Sequence, residues 1–145
     1  MRPYLVASNR TFCCLRKILS VMILCQIESN KIMGYDLHIT RAENWWENQG
    51  KEVRENEWRE LIEADAELCL SGFAEANSSH GEMIRYENAL LTTWSGHPNL
   101  DVVWFDFRGG NVVIKNPDEA TLTKMQQIAQ KLNAKVQGDE GEIYN

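Results

Sequence analysis

The stretch "DVVWFDFRGGNVVIK", residues 101–115, decides the fold of this chain. Two runs rich in β-branched and aromatic residues flank Gly109-Gly110. Such runs joined by two glycines are typical of a β-hairpin with a type I′ turn, in which both central residues have positive φ. Three cross-strand pairs follow from that turn: Arg108 with Asn111, Phe107 with Val112, and Phe105 with Ile114. The sequence therefore predicts an antiparallel hairpin here.

The segment after this hairpin predicts a helix and a second hairpin. Residues 116–119 read as a helix start, with Asn116 as the cap and Pro117 at the first helical position. An apolar stripe then recurs at helical spacing up to Leu132, and Asn133 suits the left-handed position that ends a helix. Residues 135–144 contain two short strand-like runs around Gly138 to Gly141, which indicates a closing hairpin.

The segment before the hairpin contains further strands and one helix. Residues 35–40 alternate between apolar and polar side chains, as a half-buried strand does. Residues 58–69 show a helical stripe that Ser71-Gly72 would end, residues 76–81 have loop composition, and residues 83–86 and 90–94 predict strands. Runs of adjacent strands favour an α+β fold: a mostly antiparallel sheet of about six to seven short strands with two helices on one face.

The composition of the chain changes at Met33. Residues 1–32 carry five basic residues and one acidic residue, whereas residues 33–145 carry ten basic and twenty acidic residues, a net charge of −10. Three of the four cysteines precede Met33, and every tryptophan and histidine follows it. We therefore expect one α+β domain over 33–145 and a non-native or disordered extension over 1–32, with translation starting at Met33.

A secretory signal peptide is the alternative interpretation of residues 1–32. Arg16-Lys17 precedes an apolar run over residues 18–25, but a poor cleavage sequence follows. The run is also far shorter than the roughly 20 residues that cross a bilayer, so no membrane association is expected. The lone Cys69 of the domain fits a reducing compartment. These features favour a cytoplasmic protein, or a secreted one if residues 1–32 are a signal.

No motif of the domain carries recognisable chemistry. Its histidines lack metal-ligand spacing, phosphate-binding glycine loops are missing from the sequence, and no metal or cofactor is expected. Excess negative charge disfavours nucleic acid, because the domain would repel phosphates. Whether the protein is an enzyme stays open, with the pattern favouring a non-enzyme. Four residues are weak catalytic candidates: His38, His80, His97 and Asp106.

Trp45-Trp46 is the strongest candidate for a partner-binding site. Adjacent residues cannot both face the same side of a regular element, so one of the two indoles should be partly exposed. Exposed tryptophans are enriched at the energetic centres of protein interfaces. The alternative interpretation is that both indoles pack beneath the loop as part of the core.

Three segments of the chain resemble a group of small bacterial proteins that begin at the position of Met33. The segments are "MGYDLHITRA" (33–42), "WFDFRGGNVVIKNPDEAT" (104–121) and "KVQGDEGEIY" (135–144). The resemblance covers residues 33–145, and no established activity is attached to this group, so it implies no catalytic residue. In size, acidity and tryptophan content the domain also resembles bacterial toxin-immunity proteins, although in type rather than in motif.

Two functional hypotheses follow. The first is an immunity-like or regulatory module that binds a basic protein, because long-range attraction steers oppositely charged partners together. The second is a small enzyme or ligand-binding domain with a pocket over the sheet. Clustering of the four catalytic candidates in a concavity would favour the enzyme, whereas an acidic surface around an exposed Trp45 or Trp46 would favour binding.

Overall fold

A computed structural model describes residues 35–100 and 102–145 of the protein. The domain start at Met33 and the extension over 1–32 lie outside the described residues. The elements are β1 Asp36–Thr40, a 3₁₀ turn Trp45–Glu47, α1 Glu55–Ala64, β2 Leu68–Leu70, β3 Phe73–Asn77, β4 Met83–Glu87, β5 Thr92–Trp94, β6 Val103–Arg108, β7 Asn111–Lys115, α2 Glu119–Lys131, β8 Lys135–Gly138 and β9 Ile143–Tyr144.

The main sheet has seven strands in the order β2-β5-β6-β7-β1-β8-β9, and β3 and β4 form a separate two-stranded sheet. Neighbouring strands pair antiparallel in both sheets. Side chains of α1 and α2 share one hydrophobic core with one face of the main sheet. The predicted α+β class, with both helices on one face, is confirmed. In the described part of the chain, no helix has the length and apolarity needed to span a bilayer.

The core forms because apolar residues alternate along the central strands. Leu37 and Ile39 of β1 and Phe105 of β6 point toward the helices, and both helices return apolar side chains to them. Trp58 of α1 and Met125 of α2 are completely buried in this layer. Burial at about 25 cal/mol per Å² of apolar surface makes this face the main source of stability.

The hairpin that the sequence predicts is confirmed. Arg108 pairs with Asn111 and Phe107 with Val112, and Gly109 and Gly110 both have positive φ, at 54° and 79°. Asn133 also adopts the predicted left-handed conformation, with φ of 51°.

The predicted helix over residues 58–69 is wrong at its C-terminal end. Helix α1 ends at Ala64, and Leu68–Leu70 is a strand that pairs with β5. The loop predicted over residues 76–81 is also wrong at its start, because β3 extends to Asn77 and pairs with β4. In both places pairing with another strand overrides the local pattern.

The predicted cap of α2 is displaced by two residues. Asp118, rather than Asn116, accepts a hydrogen bond from the backbone N–H of Thr121 and caps the helix. Asn116 instead has a positive φ of 44° and accepts a hydrogen bond from the backbone N–H of Tyr35. The side chain of Asn116 therefore fixes the chain entering β1.

The two-stranded sheet of β3 and β4 lies against the sheet face opposite the helices. Ala74 and Ala76 of β3 pack with Leu91 and Trp104 in a small second core. Asp106 of β6 accepts hydrogen bonds from Tyr86 Oη (3.1 Å) and Asn88 Nδ2 (2.7 Å) and forms an ion pair with Arg108. A single carboxylate thus anchors β4 and the turn after it.

Candidate functional site on the polar face of the sheet

The polar face of the main sheet is the face opposite the helices. Alternation along β1 puts Asp36, His38 and Thr40 on this face, while Leu37 and Ile39 enter the core. His38 lies directly opposite Val113 of β7 and Gln137 of β8. It is only 4% exposed, so its hydrogen bonds and ring contacts are made with protein groups.

The imidazole of His38 is held on two sides. The indole of Trp45 stacks on it with the ring centroids 3.8 Å apart and the planes 3° from parallel. Nε2 of His38 lies 2.9 Å from Oδ1 of Asp139, in the β8–β9 turn. Because a carboxylate only accepts hydrogen bonds, Nε2 carries the proton and donates it. Nδ1 is buried and lacks a partner among the described residues.

Asp139 and Gln137 connect this histidine to the surrounding backbone. The other carboxylate oxygen of Asp139 accepts a hydrogen bond from the backbone N–H of Asp36. Gln137, only 2% exposed, accepts from the backbone N–H of Trp45 and donates to the carbonyls of Glu43 and Gly141. The 3₁₀ turn is therefore fixed to the sheet by buried side chains.

The electrostatics of this cluster disfavour a second negative charge. Burial raises the pKa of the Asp36 carboxyl, the Lys115 ammonium opposes that rise, and the nearby Asp139 carboxylate adds to it. Asp36 Oδ1 is buried without a hydrogen-bond partner in the described chain, which adds to the cost of ionising Asp36.

His97 lies in a different place, on the helix side of the molecule. Its Nδ1 accepts hydrogen bonds from the backbone N–H groups of Asn99 and Leu100, and its Nε2 is 2.7 Å from the carboxylate of Asp118. Nε2 must therefore be the protonated nitrogen. Every polar atom of the ring is used, which makes His97 an anchor for the 95–100 loop and the start of α2.

The remaining two catalytic candidates lie apart from these histidines. His80 is exposed in the turn between β3 and β4. Asp106 shares the polar face with His38, but Val113 pairs with both and lies between them, which puts their Cα atoms about 10 Å apart. The carboxylate of Asp106 is already occupied by its own partners. The structure does not gather His38, His80, His97 and Asp106 into one site.

Trp46 is the more exposed of the two adjacent tryptophans, with half of its surface accessible. It meets Trp45 edge to face, with ring centroids 5.6 Å apart. Its far edge lies over the β8–β9 turn, because a Cβ added at Gly141 would lie 3.4 Å from Cη2 of Trp46. The prediction that one of the two indoles is partly exposed holds.

Trp46 belongs to a larger exposed surface at the β9 edge of the sheet. Ile143, 53% exposed, pairs with Gln137 and so lies on the polar face beside the turn that Trp46 covers. Two exposed carboxylates are the sequence neighbours of its residues: Glu47 follows Trp46, and Glu140 precedes Gly141. We call this surface the Trp46 patch; it consists of Trp46, Gly141 and Ile143 with the exposed Glu47 and Glu140. The Glu142 carboxylate belongs to the other face, where it accepts a hydrogen bond from Tyr144.

Sequence reasoning missed Asp139 and Gln137, the two residues that build this region. Both lie about 100 positions from His38 along the chain, and they come together only through the pairing of β1 with β8. The "GDEG" turn in residues 138–141 gave no sign that one of its acids accepts a hydrogen bond from a buried imidazole.

Comparison with protein families, with curated proteins and with solved structures finds no match to this chain. Among residues 35–100 and 102–145, no group of three or more His, Cys, Asp and Glu side chains is arranged to hold a metal ion.

Proposed function

We propose that this protein is a cytoplasmic protein-binding module, of an immunity-like or regulatory kind, that contacts a basic protein through the Trp46 patch. The observation that carries this proposal is the half-exposed Trp46 mounted on a fixed support. Tryptophan is one of the residues most enriched at the energetic centres of protein interfaces.

The support matters because binding normally costs side-chain freedom. Trp45 stacks on buried His38, and Trp46 packs against Trp45 and over Gly141. The indole of Trp46 is therefore oriented before any partner arrives. A preorganised anchor loses little conformational entropy on association, so more of its contact energy appears as affinity.

Charge favours a basic partner. The domain over residues 33–145 has ten basic and twenty acidic residues, and Glu47 and Glu140 of the patch are exposed. A surface of this sign raises the association rate of a positively charged protein, and salt screens the attraction over about 8 Å at physiological ionic strength.

The alternative, a small enzyme built on His38, His80, His97 and Asp106, is less well supported. An active site needs its acid, base and substrate within hydrogen-bonding reach of one another. In the described residues, His97 and Asp106 are committed to structural hydrogen bonds. His38 is buried under Trp45, and His80 lies in an exposed turn away from the other three.

Affinity capture from the native host, at low and high salt, tests the proposal. We expect a basic protein that is retained at low salt and lost at high salt. With that partner purified, Trp46→Ala should speed dissociation by about tenfold or more, and the double substitution Glu47→Gln/Glu140→Gln should mainly slow association.

Matched controls separate the patch from general effects. Met83→Ala removes a side chain that is 69% exposed on the other sheet, and Glu60→Gln/Glu63→Gln removes two exposed charges from α1. Both controls should bind nearly as the wild type does. Equal binding by Trp46→Ala, or a purified protein that carries a small metabolite and captures no basic partner, would move the assignment to the enzyme or ligand-binding class.

A further inference from the structure

Strand β4 is exposed along its whole length, unlike any other strand of more than two residues in the described chain. Three of its five side chains are large and apolar: Met83 is 69% exposed, Ile84 43% and Tyr86 42%. β4 pairs only with β3, so its other edge is free within the described residues. An exposed apolar edge strand is a template for pairing with another strand.

The hydrogen bonds at the two ends of β4 determine which of its groups face the free edge. The carbonyl of Glu82 accepts from Ser78, and the N–H of Asn88 donates to Gly72. Since both groups of a residue point to one side and the side alternates, the even-numbered residues bond to β3. The N–H and C=O groups of Met83, Arg85 and Glu87 therefore point outward.

We infer that β4 pairs with β4 of a second copy of this chain, antiparallel about a twofold axis at Arg85. This register places Arg85 opposite Arg85 and Met83 opposite Glu87 of the other copy. It is the one antiparallel register in which all three outward-facing residues of each strand take part, forming six backbone hydrogen bonds. Registers shifted by two residues use only two of the three.

The same register matches the side chains. It places Ile84 directly opposite Tyr86 of the second copy, twice, on the face that looks toward the main sheet. Aromatic and β-branched residues at opposed positions form favourable cross-strand pairs, each contributing about 0.2–1 kcal/mol. A strand with Ile and Tyr at symmetric distances from Arg85 is thus complementary to itself, as a twofold interface requires.

The edge is also fixed in place before it pairs. Tyr86 and Asn88 bond to Asp106 of the main sheet. The guanidinium of Arg85 lies over the ring of Phe73 and pairs with Glu75 and Glu87. These carboxylates neutralise the two opposed arginines across the axis, which would otherwise repel.

The contact is small, so the dimer should be weak rather than obligate. Because each domain has a large negative charge, two copies also repel one another at long range. Added salt screens this repulsion and should strengthen the dimer. This effect of salt on dimerisation is opposite in sign to the effect expected for a basic partner at the Trp46 patch. The two proposals are therefore tested independently, and the failure of one leaves the other intact.

Sedimentation of the full chain over a concentration series tests the pairing. Arg85→Pro removes the outward N–H at the axis without touching the ladder to β3. Arg85→Thr is the matched control, because it also loses the guanidinium but keeps the N–H. We expect dimerisation of Arg85→Pro to be at least about tenfold weaker than that of Arg85→Thr, since two hydrogen bonds are lost.

A cysteine cross-link reads the register directly. Opposed residues of a hydrogen-bonded pair have Cα atoms about 5.5 Å apart, within disulfide range. Arg85→Cys should therefore form a dimer linked through position 85 under mild oxidation, as mapped by mass spectrometry, whereas Met83→Cys, which faces Glu87, should not link to itself. If Arg85→Pro fails to fold, this result decides the question.

Three outcomes would overturn the inference. The wild type could sediment as a monomer at every concentration, Arg85→Pro could dimerise as well as Arg85→Thr, or position 83 could cross-link as readily as position 85. A monomer whose β4 edge binds a strand from a different protein would equally exclude the second copy as the occupant.

Discussion

The two faces of the main sheet differ in how they are covered. The helix-covered face is a continuous apolar layer in which α1 and α2 bury residues such as Trp58 and Met125. The polar face is covered by short segments, each fixed through one or two polar residues: Asp106 for the β3–β4 sheet, and Gln137 with Asp139 for the 3₁₀ turn. Stability is therefore concentrated on one face, and the candidate binding surfaces lie on the other.

Adjacent residues of β6 should show this difference most strongly. Phe105 is fully buried among helix side chains, so Phe105→Ala should lower the free energy of unfolding by about 3–5 kcal/mol. Trp104 points to the polar face, and its indole N–H is buried without a partner among the described residues. Trp104→Phe should be nearly neutral, because it removes an unsatisfied donor. Chemical denaturation measures both, and equal losses would contradict the contrast.

The β6–β7 turn fixes the register of these two strands and thereby which of their side chains lie on each face. Substitution of its glycines should therefore destabilise the sheet. A valine at either position would have to adopt a left-handed conformation. This should lower the free energy of unfolding by an amount on the order of 1–2 kcal/mol. A Cβ at Gly109 would meet open space, whereas a Cβ at Gly110 would collide with Glu52. We expect Gly110→Val to destabilise more than Gly109→Val in urea unfolding. An unchanged midpoint for Gly110→Val would refute the turn assignment.

Loss of the Asp106 anchor should release the β3–β4 sheet alone. Asp106→Ala leaves Tyr86 without its acceptor and leaves Asn88 only the Phe107 carbonyl, which should cost about 1–3 kcal/mol of local stability. Hydrogen exchange should accelerate in β3 and β4 while amides of β1 and β7 keep their protection. Glu82→Gln, an exposed change on the same hairpin, is the control. Uniform acceleration across both sheets would mean that the polar cover is integral to the core.

On the polar face, ionisation of Asp36 should lower the stability of the fold as the pH rises. Burial holds the pKa of Asp36 above its ordinary value of 3.8, so the ionised carboxylate is less favourable in the folded state. The stability this residue contributes is present below pH 3.8 and is lost as the pH rises through the raised pKa. Asp36→Asn should therefore unfold at higher temperature than wild type near neutral pH, and this advantage should vanish in acid. An advantage that persists in acid would contradict this account.

Glu57 should give a pH effect of the opposite sign on the helix side. Hydrogen bonds from the Arg41 guanidinium lower the pKa of Glu57 from 4.5 to about 2. Its contribution is present above pH 4.5 and is lost as the pH falls toward 2. Glu57→Gln should therefore be less stable than wild type at neutral pH, with the difference closing below pH 4.5. Thermal melts across the acid range check this, and a constant difference would contradict it.

Local sequence signals predicted the elements whose conformation is set by neighbouring residues. The β6–β7 hairpin follows from two glycines between β-forming runs, and the left-handed Asn133 follows from its position after an apolar stripe. The end of α1 and the existence of β3 were not predictable in this way. Leu68 and Ala76 continue patterns that also suit a helix or a loop, and only pairing with β5 or β4 decides between them.

The candidate site was predictable only in part. Two adjacent tryptophans imply that one is exposed, and Trp46 is. Nothing local marks His38 as a support for Trp45, because that role depends on Asp139, which β8 brings alongside β1. His97 looked similar in sequence, but its ring is used by the backbone of its own loop and by Asp118. The two histidines differ in the groups that surround them, and these groups come from distant parts of the chain that a local sequence pattern does not reveal.

The position of β1 in the sheet order has a consequence for biosynthesis. Both strands that flank β1, β7 and β8, lie in the last third of the chain, so β1 waits with its edges unsatisfied while the intervening residues are made. Contacts of such long sequence separation slow folding. During translation Leu37 and Ile39 therefore stay exposed on an unpaired strand, where they could associate with other apolar segments. The pairing of β1 with β8 can be completed only after synthesis has passed Gly138. A ribosome stalled before β8 would therefore hold a protease-sensitive chain.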